Sequence, residues 1–352
     1  MTRFAWLQTR TQTLAVVAAV GALAVVLAVT GVQLAHLYNQ LVAPCQSSGN
    51  CDPAIGRFLS HDHFLQNALT LLMRVAPALI GIFWGAPLVA RELETGTFRL
   101  AWTQSVTRPR WLVTKLALVA IATVLVAGAL TLAVTWWNRG IDKISLQQYG
   151  DFDDRDIAPI AYALFAFALG AALGAVIRRT VPAMAATLAG FVFVRIAVQE
   201  WVRPHLLTPL HKVVSLSNVG GFGFFSSNGG PFDMVAKAPD IPNAWIQSSQ
   251  LFTNAGHATT ASQRAAFLHQ YCPSILTPPP LPKGNGGIIS RAGSDAAFQA
   301  CHDQAARMFH LVVTYQPASH YWPLQWIESG IFVGLAAVAA AACYFWVTRR
   351  AT

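Results

Sequence analysis

The chain has 352 residues, 54% of them hydrophobic and only 11% charged, with a formal net charge of +9. Soluble domains carry about 25% charged residues, so the composition excludes a soluble globular protein and implies a membrane-embedded one. A positive balance also fits nucleic-acid binding, but here the basic residues flank apolar runs, which is the placement that sets membrane topology. No nucleic-acid partner is expected.

Runs of about 20 apolar residues are long enough to cross the hydrocarbon core. In chain order there are six: Thr13–Tyr38, Asn67–Ala90, Leu112–Trp137, Ile157–Ile177, Val181–Val202 and Trp322–Val347. The first sits where a signal peptide would, but its apolar run exceeds the roughly 7–15 residues of one and no clean small-residue cleavage site follows, so it reads as a retained span. These runs define an all-α polytopic membrane protein with six transmembrane helices.

Basic residues orient the spans. With both termini in the cytoplasm, the inner segments hold Arg3, Arg10, Arg91, Arg99, Arg108, Arg110, Lys115, Arg178, Arg179, Arg349 and Arg350, and the short outer loops only Arg57, Arg139, Lys143 and Arg155. Acidic residues lean outward, in the run Asp151, Asp153, Asp154, Asp156, and Glu92 and Glu94 are the inner exceptions. Trp6, Trp111 and Trp346 mark one interface, and Trp136, Trp137, Trp201 and Trp322 the other. A multi-pass protein of a bacterial plasma membrane is expected.

This orientation puts Cys45 and Cys51 in the first outer loop and Cys272 and Cys301 in the long outer segment, two even pairs on the oxidising side that suit two disulfides. Cys343 falls inside span six as a small apolar residue. A zinc site from Cys272, Cys301, His269 and His302 lacks the spacing of zinc signatures.

The organisation expected is 1-202 for helices one to five with a cytosolic loop at 90-111, 203-320 for a lid-like outer segment, and 321-352 for helix six and a cytosolic C-terminus. Pro204, Pro209, Gly220–Gly230, Pro278–Pro282 and Gly284–Gly287 break the long segment. Between the breaks, Ser262–Tyr271 and Ser294–His310 read as short helices with Ser262 and Ser294 as N-caps. Its apolar content is thin for an independent core, so a staple at Cys272–Cys301 is expected. In span four, Gly170-Ala-Ala-Leu-Gly174 permits close helix approach, either to a second copy or to a neighbouring span.

Motifs of chemistry are missing. Nothing matches GxxxxGK[ST], HExxH or GxSxG, so the chain has no nucleotide-binding motif of its own and no hydrolase machinery. The polar island between spans two and three is specific instead. Arg91-Glu92-Leu-Glu94-Thr-Gly96-Thr97, then Thr103-Gln104 and Arg108…Arg110-Trp111…Lys115, resembles the cytosolic loop of ABC-type export permeases of the type-2 class, closest to those of high-GC Gram-positive bacteria. The stretch Tyr315-Gln-Pro317…Trp322-Pro-Leu-Gln-Trp326-Ile-Glu328-Ser-Gly330 resembles the last span of the same group.

The resemblance implies a coupling helix around Ala90–Phe98 that docks on a separate cytosolic ABC ATPase subunit through Arg91, Glu92, Glu94, Gly96 and Thr97. It implies no cofactor on this chain, with ATP and Mg on the partner, and a second permease subunit in a homodimer or heterodimer. Glu92 and Glu94 would offer acidic contacts, and Gly96 would end the helix as glycines commonly do.

Arg74, Arg195, Glu200 and Glu328 lie in or near the spans, where charge is costly. Arg74, Arg195 and Glu328 fall at similar depth, so they are placed to meet, as a structural ion pair, as snorkelling groups or along a substrate pathway. The expected function is the membrane-spanning permease subunit of an ATP-driven exporter working by alternating access. A membrane sensor with a disulfide-stapled outer domain is the alternative, and an integral membrane enzyme comes third.

Overall fold

The computed structural model describes every residue except Met1 and residues 46–50, 96–107, 146–147, 226–232, 277–295 and 350–352. Gly96, Thr97, Thr103, Gln104, Ser294 and the Pro278–Pro282 and Gly284–Gly287 breaks lie outside the described residues. Two compact units emerge, one of Met1–Leu206 with Tyr321–Thr352 and the other of Leu207–His320.

The first unit is helical. Six of its helices are long and apolar enough to cross a membrane: Gly21–Val42, His63–Thr95, Pro109–Ile144, Ala158–Ile177, Thr180–His205 and Ala318–Arg349. Most run further than the apolar stretches that announce them, because the polar flanks continue the same helix. Span two shows this best. Helix His63–Ile80, a π turn at Gly81–Gly85 and helix Ala86–Thr95 form one continuous rod. The coupling helix expected at Ala90–Phe98 is, through Thr95, the end of span two rather than a separate element, with Pro87 accommodated in the first turn of Ala86–Thr95; Gly96–Phe98 lie outside the described residues. Span five likewise carries on through a π turn at Val198–Val202 and a 3₁₀ turn at Arg203–His205, which keeps residues 203–206 in the membrane unit.

Span four is the axis. In its most apolar window 67% of residues are buried against protein, compared with 11% to 39% in the other five. Small residues make this possible, because alanines and glycines let helix backbones approach closely. A Cβ on Gly85 would stand 2.5 Å from the Phe167 carbonyl oxygen, and one on Gly170 would stand 2.5 Å from the Gly81 oxygen. Gly170 and Gly174 thus pack against Gly81, Gly85 and Ala86 of span two, within the chain. Cys343 is buried beside them, its thiol 3.5 Å from the Ala171 oxygen.

Between spans one and two, Cys45 and Cys51 are joined, Cα to Cα 5.4 Å, and a short helix, Asp52–His61, follows. Its Phe58 is buried against Leu34, Val134, Trp137 and Ile141.

The second unit differs from its expectation of two helices with little core. Strands β1 (Leu210–Ser215), β4 (Trp245–Thr253) and β5 (Phe309–Gln316) form an antiparallel sheet in the order β1-β5-β4, and β2 (Gly221–Phe225) pairs with β3 (Asp233–Lys237) as a hairpin. Along β5, Phe309, Leu311 and Val313 alternate inward, the period-two signature of a half-buried strand. That strand takes His310, so the helix expected at Ser294–His310 ends at Met308. Helix Ala261–Tyr271 is capped by Thr260 rather than Ser262: the Thr260 hydroxyl accepts from the Gln263 amide and the Gln263 side chain answers to the Thr260 amide. Val214, Leu216, Phe224, Met234, Leu251, Phe267, Leu268, Phe298, Leu311 and Val313 make a continuous core, bound by the Cys272–Cys301 bridge. The apolar content expected to be thin is concentrated by alternation on the inner faces of strands and helices.

Candidate functional site

The acidic run after span three is the structural centre of the membrane unit. A 3₁₀ turn at Gln148–Asp151 leads into Phe152–Ile157, and each polar side chain of the run engages a different span. Asp153 accepts from Arg195 of span five at 2.8 Å and also from Arg203. Asp154 takes the Arg74 guanidinium of span two in a two-pronged pair, 3.2 and 3.3 Å. Arg155 donates to both Asp142 carboxylate oxygens at the end of span three, 2.7 Å each, and pairs with Asp151. Asp156 accepts from the Tyr321 hydroxyl of span six at 2.5 Å, from a left-handed backbone conformation (φ 63°) that aspartate tolerates better than most residues. Even the Phe152 carbonyl is used, by Gln325 of span six at 2.8 Å. One short loop therefore clasps spans two, three, five and six.

Beneath it lies Glu328, with no exposed surface. Its carboxylate receives Arg203 Nε at 2.7 Å and an Arg203 terminal nitrogen at 2.8 Å, the Tyr162 hydroxyl at 2.7 Å, and Arg195 at 3.3 Å. The Arg195 guanidinium lies 3.7 Å from the Tyr162 ring centroid, and that of Arg203 lies 4.4 Å from Phe152. Two guanidinium groups thus face two carboxylates, Glu328 and Asp153, in a neutral and hydrogen-bonded knot. Burial of charge is tolerable only on those terms, and removing one member leaves an uncompensated ion.

The carboxylates of the loop behave differently. Burial pushes Asp154 up to about 6, with Arg74 opposing and the neighbouring Asp153 and Asp151 adding to the rise. Burial also works to raise Asp153, but Arg195 and Arg203 together outweigh it and hold that carboxyl below its ordinary value.

At the opposite ends of the same spans, Glu92 pairs with Lys115 of span three, and the Lys115 ammonium lies 4.7 Å from the Trp111 ring. Glu94 accepts from the Thr180 amide at 2.9 Å and its hydroxyl at 2.6 Å, satisfying one of the free amides at the start of span five. Arg91 is exposed, as are Arg110, Arg178, Arg179 and Arg349. Of the residues assigned to docking, Glu92 and Glu94 therefore tie the end of span two to spans three and five, and what they offer outward is reduced.

The structure brings Arg195 and Glu328 together. Arg74 does not join them and binds Asp154 instead, a correction that follows from the loop presenting a carboxylate closer to span two. Glu200 stays exposed. Sequence reading missed Arg203, Asp153, Asp154, Tyr162 and Gln325. The density of four aspartates in Asp151–Asp156, with Arg74 in span two and Arg195 in span five, was the available signal. Among the described residues no cluster of three or more His, Cys, Asp or Glu is set to hold a metal, and Cys272 and Cys301 are bonded to each other rather than poised around one.

Six helices packed on a small-residue axis, with no nucleotide-binding motif and a polar joint where span two meets spans three and five, define a permease-like membrane subunit. A family model described as ABC-2 membrane transporter related matches residues 2–203, and the chain belongs to that family. It is thus a multi-pass membrane subunit of the ABC type, and the family implies association with a cytosolic ATPase subunit. No curated protein and no solved structure matches the chain.

Proposed function

We propose that this chain is the transport subunit of an ATP-driven exporter, oriented with both termini in the cytoplasm and the Leu207–His320 unit outside, and paired with a second permease subunit. ATP and Mg bind the partner ATPase. The partner engages the loop that leaves span two at Thr95 and re-enters span three at Arg108, together with exposed Arg91 and Arg110. The observation that carries this reading is the continuity of span two. From Glu92 to Arg74 the chain is helical throughout, 18 residues or about 27 Å at the helical rise, with Pro77, the π turn at Gly81–Gly85 and Pro87 as the places where it can bend, so a displacement at the docking loop is carried along one helix to the Arg74–Asp154 pair. In this scheme ATP-driven movement of span two loosens the clasp and opens the path on that side.

The positive-inside distribution supports the orientation. Export is tested by adding ATP to inside-out vesicles that contain this chain and its ATPase. Uptake of dye from a panel of amphipathic fluorophores is the expected result, and ATP-driven uptake confined to right-side-out vesicles would contradict it.

A further inference from the structure

Span three carries a polar face that the clasp and the docking end do not use. Thr123 and Thr131 are 0% and 3% exposed and Asn138 is 7% exposed, yet the hydroxyls of Thr123, Thr131 and Thr135 and the side-chain oxygen of Asn138 have no hydrogen-bond partner among the described residues. Threonines in apolar helices ordinarily bond the carbonyl four residues back. Four others in this chain do: Thr30 to Val26, Thr187 to Ala183, Thr348 to Tyr344, and, at the start of span three itself, Thr114 to Arg110, each at 2.7 Å. The three further along span three do not.

Their placement is ordered. At about 100° per residue, Thr123, Thr131 and Asn138 fall within roughly 40° of Ala127. Ala127 is buried against Ile80 of span two and Ala163 and Phe167 of span four, so this face looks between those two spans. From Thr123 to Asn138 it extends about 22 Å at the helical rise, most of the roughly 30 Å hydrocarbon thickness. One turn further on, Asp142 holds Arg155 of the clasp. Each buried and unmatched polar atom costs about 1–3 kcal/mol. Such a face keeps its place when something polar visits it.

We infer that the Thr123–Asn138 face is the polar wall of the translocation path, taking water at rest and hydrogen-bonding groups of the transported solute in passage, with the clasp closing one end. This deepens the exporter reading and rests on it. The test introduces Cys at Thr123, Thr131 or Asn138, near-isosteric at the threonines, in a Cys343→Ala background. Leu125→Cys and Leu132→Cys, on faces turned outward from the bundle, are the controls. The probe is a water-soluble cationic methanethiosulfonate applied to membranes holding the chain with its ATPase, because such a reagent attacks only thiols that can ionise in water.

The wall positions should label at least roughly tenfold faster than the controls, and their rates should change when the ATPase is held with non-hydrolysable ATP analogue. Wall thiols no faster than the leucine controls would overturn the inference. So would fast labelling at a rate indifferent to nucleotide in a complex that hydrolyses ATP, since that describes static buried water. A wild-type complex that fails to hydrolyse ATP counts against the exporter reading alone, and the contrast between wall and control thiols still decides whether the face is hydrated.

Discussion

The two ends of the membrane unit are held in opposite ways. At the Phe152–Ile157 end, ion pairs from one loop reach spans two, three and five, and a buried neutral knot joins that loop to Glu328 of span six. At the Thr95–Arg108 end, span two is tied by Glu92 to Lys115 and by Glu94 to Thr180. The knot of Glu328 and Asp153 with Arg195 and Arg203 is largely desolvated, whereas the Arg74–Asp154 and Arg155–Asp142 pairs each leave one partner open to water, and Glu92–Lys115 is half-buried. Desolvated pairs are expensive to separate one member at a time, whereas exposed pairs contribute little. On the proposed reading, motion begins at the lightly tied end, where the partner docks, and the clasp is the latch that responds.

The largest way to break the comparison is Glu328→Gln. Arg195 and Arg203 then face Asp153 alone, at a cost of about 3–5 kcal/mol seen as a fall in thermal stability in detergent. The double variant Glu328→Gln/Arg203→Gln should recover more of the loss than Glu328→Gln/Arg195→Gln, because Arg203 holds Glu328 through two bonds of 2.7 and 2.8 Å and Arg195 through one of 3.3 Å. Equal recovery would show that the knot is not centred on Arg203.

A pH titration sharpens the clasp side alone. Asp154 takes up its proton near pH 6 when folded and nearer 4 when unfolded. Protonation therefore favours the folded state, and Asp154's contribution to stability grows as pH falls from 7 towards 5. Asp153, held low, contributes above its ordinary titration point and loses that contribution only in stronger acid. Asp154→Asn should flatten the rise between pH 7 and 5 in thermal unfolding, and an unchanged slope would assign it to another group.

The smallest effect belongs to the other end. Lys115→Ala should lower stability by about 1–2 kcal/mol, less than Glu328→Gln, because it breaks one half-buried pair whose partner Glu92 keeps some access to water. Its larger consequence should be uncoupling, read as ATP hydrolysis that continues while transport falls. A stability loss equal to that of Glu328→Gln would erase the asymmetry between the ends.

The six spans were legible because burial in lipid demands long apolar runs and little else. Arg195 and Glu328 stood out because a charge in such a run is conspicuous. Arg203 and Asp153–Asp154 did not, since beyond a span end charges look like ordinary flanks until the fold turns them inward. Glu92 and Glu94 read as outward contacts because their partners, Lys115 and Thr180, are distant in sequence. The sheet in Leu207–His320 was hidden for a related reason: β1 and β4 pair with β5 across about a hundred and about sixty residues, respectively, and only β5 shows clear alternation.

With Arg74→Cys and Asp154→Cys joined by a short, reductively cleavable bifunctional thiol reagent, the complex should bind its ATPase and hydrolyse ATP but transport nothing, and cleavage should restore transport to the level of the unbridged double variant. Full transport with the bridge in place would contradict a latch that opens.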